Sequence, residues 1–446
     1  MSQPRYQKYV DKIAEKIISG ELKPGSRLEP HRTFAKQEGI SLATASRVYR
    51  ELIDKGLVSG ETGRGTFVRD IQLLPTLSIQ HDVVPEMLDL NFSYPIAKEQ
   101  TKLLRESLRE LAVGGDLEGI LYYQQHTGRH HERVIAAKYL MQQGFSNVSA
   151  ESITFVSGAQ HGLAAIVLGM FSPGDIVAVD ALTYPGFKAL AKMYHIELVA
   201  IPVLNNGPDL KALDLLCQNR KVRAYYSMPT LHNPLGWVMS LAMRKTLVAM
   251  AKKQDFLLIE DGSYAFLHRP VITPLAMLAP ERTFYIAGFS KNVATGLRVG
   301  IVLAPKQYTE NIEKIIRITT WNTPALTTAI ICDWLMKGEV AKIERNKRQD
   351  ARNRQKIVQQ VFGDFPYIAH PNSYFIWVPL PEGLRSESVI RQLNKRNIAV
   401  SSAESYSTSN AVPQAIRVAV STVSYDELAA ALNTIKSVIL YMVDLE

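Results

Sequence analysis

The sequence predicts two folded units of different class: an N-terminal winged helix-turn-helix (α+β), and a larger α/β unit whose helix-covered sheet is mostly parallel. Three observations predict this. Residues 1–70 show helical periodicity followed by two short strand signals; residues 71–88 show neither period; and beyond them Val/Ile-rich runs alternate with helical stretches. A chain of 446 residues is long enough for two or three such units, each with its own core.

In the first unit, Tyr6, Val10, Ile13, Ala14, Ile17 and Ile18 recur at helical spacing until Ser19-Gly20 stops the helix. A turn on Pro24-Gly25 leads to a second short helix from Arg32 to Glu38, ended by Gly39. Ser41 then caps a third helix, Leu42 to Lys55, with Ala45, Val48, Tyr49, Leu52 and Ile53 facing inward. Gly56-Leu57-Val58 and Gly65-Thr66-Phe67-Val68 read as two strands around the Gly60–Arg64 turn. The segment 1–70 holds 13 Lys/Arg against 9 Asp/Glu, so +4 of the chain's net +9 falls in its first sixth. Such an excess draws nucleic acid by counterion release, although a solvated charged face gives the same count.

The strings PGSRL, ATASRVYRELIDKGLV and GRGTFV in this segment resemble the DNA-binding domain of GntR-type regulators. The resemblance implies that the third helix enters the major groove of double-stranded DNA, with Thr44, Ser46 and Arg47 reaching bases or phosphates. Arg64 at the wing tip and Arg32 at the start of the second helix would hold the DNA backbone.

Residues 71–88, with two prolines and no sustained period, are expected to be a linker. Beyond it the candidate strands are 153–156, 176–180, 198–203, 222–228, 256–261, 283–287 and 299–303. Polar signatures sit where these strands end, the place at which α/β sheets bind ligands. Ser157-Gly158-Ala159-Gln160 opens a helix, whose N-terminal N–H groups suit a phosphate. Tyr184-Pro-Gly186, Asn233-Pro234-Leu-Gly236, Asp261-Gly-Ser-Tyr264, Ser290-Lys291 and Arg298-Val-Gly300 follow in order.

That succession resembles the class I aminotransferases of fold type I, with an α/β three-layer architecture dependent on pyridoxal 5′-phosphate (PLP), and covers about 90–440. It implies an aminotransferase-like domain at 89–446 with a smaller α+β subdomain from roughly 335. Lys291 would form the Schiff base with the cofactor aldehyde, and Asp261 would hold the pyridine nitrogen protonated. Asn233 and Tyr264 would bond the ring oxygen, and Tyr184 would stack on the ring. Gly158, Ala159, Gln160, Ser290 and Arg298 would hold the phosphate. Tyr123 matches a tyrosine that reaches the phosphate of a neighbouring subunit, and Arg417 matches the arginine that pairs with an amino acid's α-carboxylate. Gly288 departs from the pattern: many relatives place Ser or Thr there, which weakens the expected phosphate grip.

Together the two halves resemble the MocR subfamily of bacterial regulators. The resemblance implies a head-to-tail homodimer that senses PLP, an amino-compound effector, or both, and transmits this to operator DNA. A working aminotransferase carrying a DNA-binding head, and a cofactor-free DNA-binding protein, are the alternatives. Only Cys217 and Cys332 occur, no metal-ligand spacing is complete around His126, His130 and His131, and no run is apolar enough to span a membrane. A cytoplasmic protein without a metal site is therefore expected.

Overall fold

The computed structural model describes residues 5–61, 64–69, 87–94, 98–114, 116–204, 206–409 and 411–444. The expected linker thus lies almost wholly outside the described residues.

Three helices, α1 (Arg5–Ile18), α2 (His31–Gln37) and α3 (Leu42–Asp54), build the head, and strands β1 (Val58–Glu61) and β2 (Gly65–Val68) form its antiparallel wing. The apolar faces read from the sequence close one core: Val10, Ala45, Val48, Leu52 and Val68 are wholly buried together. Ser41 caps α3 by accepting the Thr44 N–H at 3.1 Å. The first wing strand begins at Val58, later than the expected Gly56, because Gly56 adopts φ +72° to end the helix and the chain must turn before it can pair.

Past residue 87, β3 (Leu88–Asp89) pairs in parallel with β12 (Ile398–Ala399), so the chain already belongs to a sheet at Leu88, where the linker was expected to end. The seven expected strands all form and make one sheet: β4 (Ile153–Val156), β5 (Ile176–Asp180), β6 (Glu197–Ile201), β7 (Val222–Ser227), β8 (Leu257–Asp261), β9 (Thr283–Gly288) and β10 (Gly300–Leu303). Their order is β4-β10-β9-β8-β7-β5-β6. Only β10 runs antiparallel, against both β4 and β9; the other pairs are parallel. Strand β6 stops at Ile201 instead of Val203 because Pro202 has no N–H for the ladder. Apolar clusters fill both faces, as a parallel sheet requires.

Residues 339–444 add a three-stranded antiparallel sheet of β11 (Phe375–Pro379), β14 (Ala415–Ala419) and β13 (Ser401–Ser402), covered by helices Glu339–Phe362, Ser386–Asn394 and Tyr425–Asp444 around a separate core. The mixed seven-stranded sheet with this smaller α+β layer is the expected fold class. No helix among the described residues is long and apolar enough to cross a membrane.

Leu52 is wholly buried in the head and touches no other core. Leu52→Ala is expected to cost about 2–5 kcal/mol of head stability. Hydrogen exchange should show α1–α3 opening more often while the seven-stranded sheet keeps its protection.

Candidate functional site

The carboxyl ends of β5, β7, β8 and β9, together with β13 and β14, surround a cavity of about 990 Å3. Lys291, Asp261, Tyr264, Asn233, Tyr184, Ala159, Gln160, Ser290, Arg298 and Arg417 all line it, although they are scattered over 259 positions of sequence.

Lys291 sits in a one-turn helix, Phe289–Asn292, directly after β9. Its neighbour Asn292 is buried and donates to the Tyr139 hydroxyl at 3.0 Å and to Glu344 Oε1 at 2.9 Å. Lys347 Nζ donates to the Lys291 carbonyl at 3.2 Å. This anchoring fixes the backbone and leaves the lysine stem aimed into the cavity, where Nζ donates to the Ser93 carbonyl at 2.7 Å. Burial, reinforced by the positive charges of Arg417 and Arg298, lowers its pKa to about 8.

Asp261, at the end of β8, is buried; its Oδ2 accepts from the Tyr226 hydroxyl at 3.0 Å and its Oδ1 from the Ser263 N–H at 2.9 Å. Burial pushes its pKa up, and the bonds from Ser263 and Tyr226 oppose that rise. A cation placed against this carboxylate relieves the desolvation, which is the chemistry a protonated pyridine nitrogen supplies. Tyr264, also buried, packs edge-on against Phe375 at 5.3 Å. Asn233 is buried with its Oδ1 unpartnered, an orphaned polar atom at the cavity wall. Burial and the nearby Asp261 push the pKa of the Tyr184 hydroxyl upward, so it stays neutral.

The opposite end of the cavity is built for an anion. Ala159 opens the helix Ala159–Met170 behind Gly158, which adopts φ +87°. A Cβ on Gly158 would lie 2.5 Å from Arg298 Nη2, so only glycine lets the guanidinium approach the helix N-terminus. Arg298 itself adopts φ +51° and donates to the Ser290 hydroxyl at 3.0 Å and the Ser157 carbonyl at 3.4 Å. Gln160 donates to the Gly186 carbonyl at 2.9 Å and leaves a buried, unpartnered Oε1. Gly288 now has a local reason: a Cβ there would meet the Ala159 Cβ at 3.1 Å, so a larger residue would crowd the helix start. Ser290 supplies the hydroxyl at this end instead.

Arg417, on β14, is buried and donates to the Asn91 carbonyl at 2.8 Å and the Ser93 hydroxyl at 3.1 Å. Its guanidinium lies 4.6 Å from the Phe375 ring and 5.7 Å from the Tyr406 ring, and its Nε has no partner. The sequence reading missed Asn91, Ser93 and Tyr226. The first two stand just past the aperiodic stretch, and Tyr226 reads as an ordinary buried strand residue.

Tyr123 does not line this cavity; it is 84% exposed with its ring 5.3 Å from Trp321. In the head, Arg32 and Arg47 are exposed, and Arg47 spans the Tyr6 ring at 4.0 Å. Thr44 bonds the Ser41 hydroxyl at 2.9 Å, and Ser46 lies 3.3 Å from His31 Nδ1. Arg64, also exposed, donates to the Gly383 carbonyl at 3.3 Å, which turns the wing toward the C-terminal layer.

Residues 91–435 match the model of the aminotransferase class I and II family. The chain belongs to that family. Its head, residues 5–68, matches the bacterial regulatory proteins of the gntR family, so this aminotransferase-family chain has the two-part make-up of MocR-like regulators. It is 28% identical to the uncharacterized HTH-type transcriptional regulator YdeF of Bacillus subtilis, over 94% of this chain and 90% of that protein. It is 24% identical to the probable rhizopine catabolism regulatory protein MocR of Rhizobium meliloti, over 79% of this chain and 76% of that protein. Among solved structures, the α-aminoadipate aminotransferase LysN of Thermus thermophilus superposes with TM-score 0.74 at 21% identity, covering 81% of this chain and 94% of that one. Pyridoxal phosphate is the cofactor of this aminotransferase fold, and the cavity fits it: a helix N-terminus with an arginine at one end, a buried carboxylate and a poised lysine. No group of acidic, histidine or cysteine side chains among the described residues is arranged to hold a metal ion.

Two outcomes follow from the geometry. The Lys291 amine is protonated below about 8, so loading with pyridoxal phosphate, followed by visible absorbance, is expected to slow as pH falls through that value. Gly158→Ala displaces Arg298 and is expected to weaken pyridoxal phosphate roughly tenfold or more, while pyridoxal, which lacks the phosphate, loses much less.

Proposed function

We propose that the chain is a DNA-binding transcriptional regulator that reads an amino compound in its PLP cavity, working as a head-to-tail homodimer in the cytoplasm. The observation that carries this reading is the convergence at Ser93, whose carbonyl accepts from Lys291 and whose hydroxyl accepts from Arg417, in a chain headed by a helix-turn-helix. The amine-binding and carboxylate-binding groups are thereby held side by side.

When bound, the cofactor supplies an aldehyde that condenses with primary amines and a pyridine ring that draws electrons. Lys291 would hold the cofactor through that aldehyde, and Arg417 would take an effector's carboxylate through a charge-assisted fork. Asp261 would hold the proton of the pyridine nitrogen, Asn233 and Tyr264 would bond the ring oxygen, and Tyr184 would stack on the ring. Gly158, Ala159, Gln160, Ser290 and Arg298 would hold the phosphate. Burial of Asp261 and Tyr264 excludes water from that end of the cavity.

In the head, Thr44, Ser46 and Arg47 offer donors along the outer side of α3, and Arg32 extends the positive surface toward the DNA backbone; Arg64 would join it on leaving the Gly383 carbonyl. The homodimer is supported by an exposed apolar surface of Leu121, Tyr122, Tyr123, Ile318 and Trp321, of which Leu121 is 84% exposed. Tyr123 then faces a second copy's phosphate end. The transaminase alternative uses the same cavity residues but leaves the head without a role.

Titrating amino compounds into PLP-loaded protein on labelled operator DNA tests the reading. A change in DNA affinity that tracks the cofactor's absorbance supports it; steady transamination at ordinary enzyme rates with unchanged DNA affinity overturns it. Arg47→Ala is expected to lower the slope of log affinity against log salt by about one. Leu121→Arg is expected to halve the mass seen by light scattering.

A further inference from the structure

The turn that carries Lys291 is held at two points by one helix, Glu339–Phe362. Glu344 Oε1 accepts from Asn292 at 2.9 Å. Three residues later, on the same face of the helix, Lys347 Nζ donates to the carbonyls of Lys291 and Val293, each at 3.2 Å. Lys347 is only 4% exposed. Burial lowers its pKa to about 7; Asp350 and Glu344 oppose that fall and Lys291 adds to it. A neutral amine still carries two N–H groups, one for each carbonyl, so both bonds outlast deprotonation.

The same helix joins the two layers of the C-terminal unit. Val340 and Ile343 pack in the core that holds Phe289 and Val293, whereas Val358 and Phe362 pack in the core of the C-terminal layer. A second link closes at Lys347 itself. The Lys347 carbonyl accepts from the Tyr374 hydroxyl at 2.8 Å, the Tyr374 carbonyl accepts from the Ser93 hydroxyl at 3.3 Å, and the Ser93 carbonyl accepts from Lys291 Nζ at 2.7 Å. With the Lys347 bond to the Lys291 carbonyl, these form a closed circuit that leaves Lys291 by its backbone and returns to its amine. Tyr374 is wholly buried directly before β11, and its hydroxyl also interacts with Asp350. Strand β11 pairs with β14, and Arg417 on β14 donates to the Ser93 hydroxyl at 3.1 Å.

We infer that Lys347 is a positioning residue for the Schiff-base lysine, and that through Tyr374 the set of the Lys291 turn depends on the layer that carries Arg417. A one-turn helix is too short to hold its own shape and leaves its last carbonyls without partners inside it. Lys347 supplies the donors there. Without them the turn is free to rotate, and the lysine stem reaches the cofactor aldehyde only at a cost in ordering. The groups assigned to the ring and most of those assigned to the phosphate stand at the ends of other strands, so they keep their places. Removing the Tyr374 hydroxyl leaves the Tyr374 carbonyl on Ser93 and acts on the turn through the Lys347 carbonyl.

The inference rests on the assignment of Lys291 to the cofactor aldehyde made above, and the test tells the two apart. Full-length protein is dialysed to equilibrium against PLP and, separately, against pyridoxine 5′-phosphate, which keeps the ring and the phosphate but has an alcohol in place of the aldehyde. The unaltered protein prefers PLP. In Lys347→Met that preference is expected to fall about tenfold or more, because the alcohol never engages the Lys291 amine. Tyr374→Phe keeps a ring in the buried site and is expected to lower the preference about threefold. The double variant is expected to fall no further than Lys347→Met alone, since the tyrosine acts through the lysine. A purely structural role weakens both ligands alike. Equal loss of the two ligands, an unchanged preference in both single variants, or losses that multiply in the double variant overturns the inference and leaves Lys291 where it was assigned. If Lys347→Met does not fold, Tyr374→Phe decides by the same comparison: a selective loss of PLP upholds the inference, and none overturns it. If the unaltered protein holds both ligands equally, the assignment of Lys291 falls and the inference falls with it.

Discussion

Two cations, Lys291 and Arg417, are brought to one residue, Ser93, and this constraint orders the rest of the site. Like charges held together in a buried cavity repel, and the repulsion adds to burial in lowering the lysine's proton affinity. The cost is tolerable because the backbone under each is fixed elsewhere: Asn292 on Tyr139 and Glu344 holds the lysine turn, and the pairing of β14 with β11 holds the arginine. The Ser93 carbonyl serves the lysine, and the Ser93 hydroxyl and Asn91 carbonyl serve the arginine. The result is a cavity with a lysine amine and an arginine guanidinium preset at a common point.

The sheet order explains how the remaining groups meet. Strands β8 and β9 lie side by side, so Asp261 and the Lys291 turn emerge as neighbours, and β10 returns antiparallel to deliver Arg298 against the helix N-terminus after β4. At this end Gly158, Gly288 and Gly300 each let backbone pass close to a neighbour: Arg298 for Gly158, Ala159 for Gly288, and the Gly158–Ala159 backbone for Gly300. Gly288 is therefore part of a tight packing arrangement at the start of the helix Ala159–Met170, and two residues later Ser290 sets a hydroxyl against Arg298.

Much of this was legible in the sequence because the chemistry-bearing residues follow strand ends, where short apolar runs give way to Gly, Pro, Asn and Asp. Lys291, Asp261, Asn233, Tyr264 and Arg298 all stand at such transitions, and all seven strands form within a few residues of their expected bounds. What was not legible depends on long-range closure. Ser93 lies 198 positions from Lys291, and Arg69 lies 335 from Glu404. No local period marks either pair, and Arg69 reads simply as a charge following a wing strand. Tyr226 was hidden for a different reason: a buried aromatic in a parallel strand looks like core until the carboxylate beside it is seen. The head's outer face was readable as a class, but its polar side chains already bond to one another, as Thr44 does to Ser41 and Arg47 to Tyr6.

The account joins a DNA-binding head to a cofactor site centred on one lysine, and it is tested most directly by reducing the PLP-loaded, operator-bound protein with borohydride and mapping the attached pyridoxyl group by mass spectrometry. A single modified site at Lys291, lost in Lys291→Ala, is the result predicted. Attachment at another lysine, or none in protein that remains bound to DNA, would contradict it.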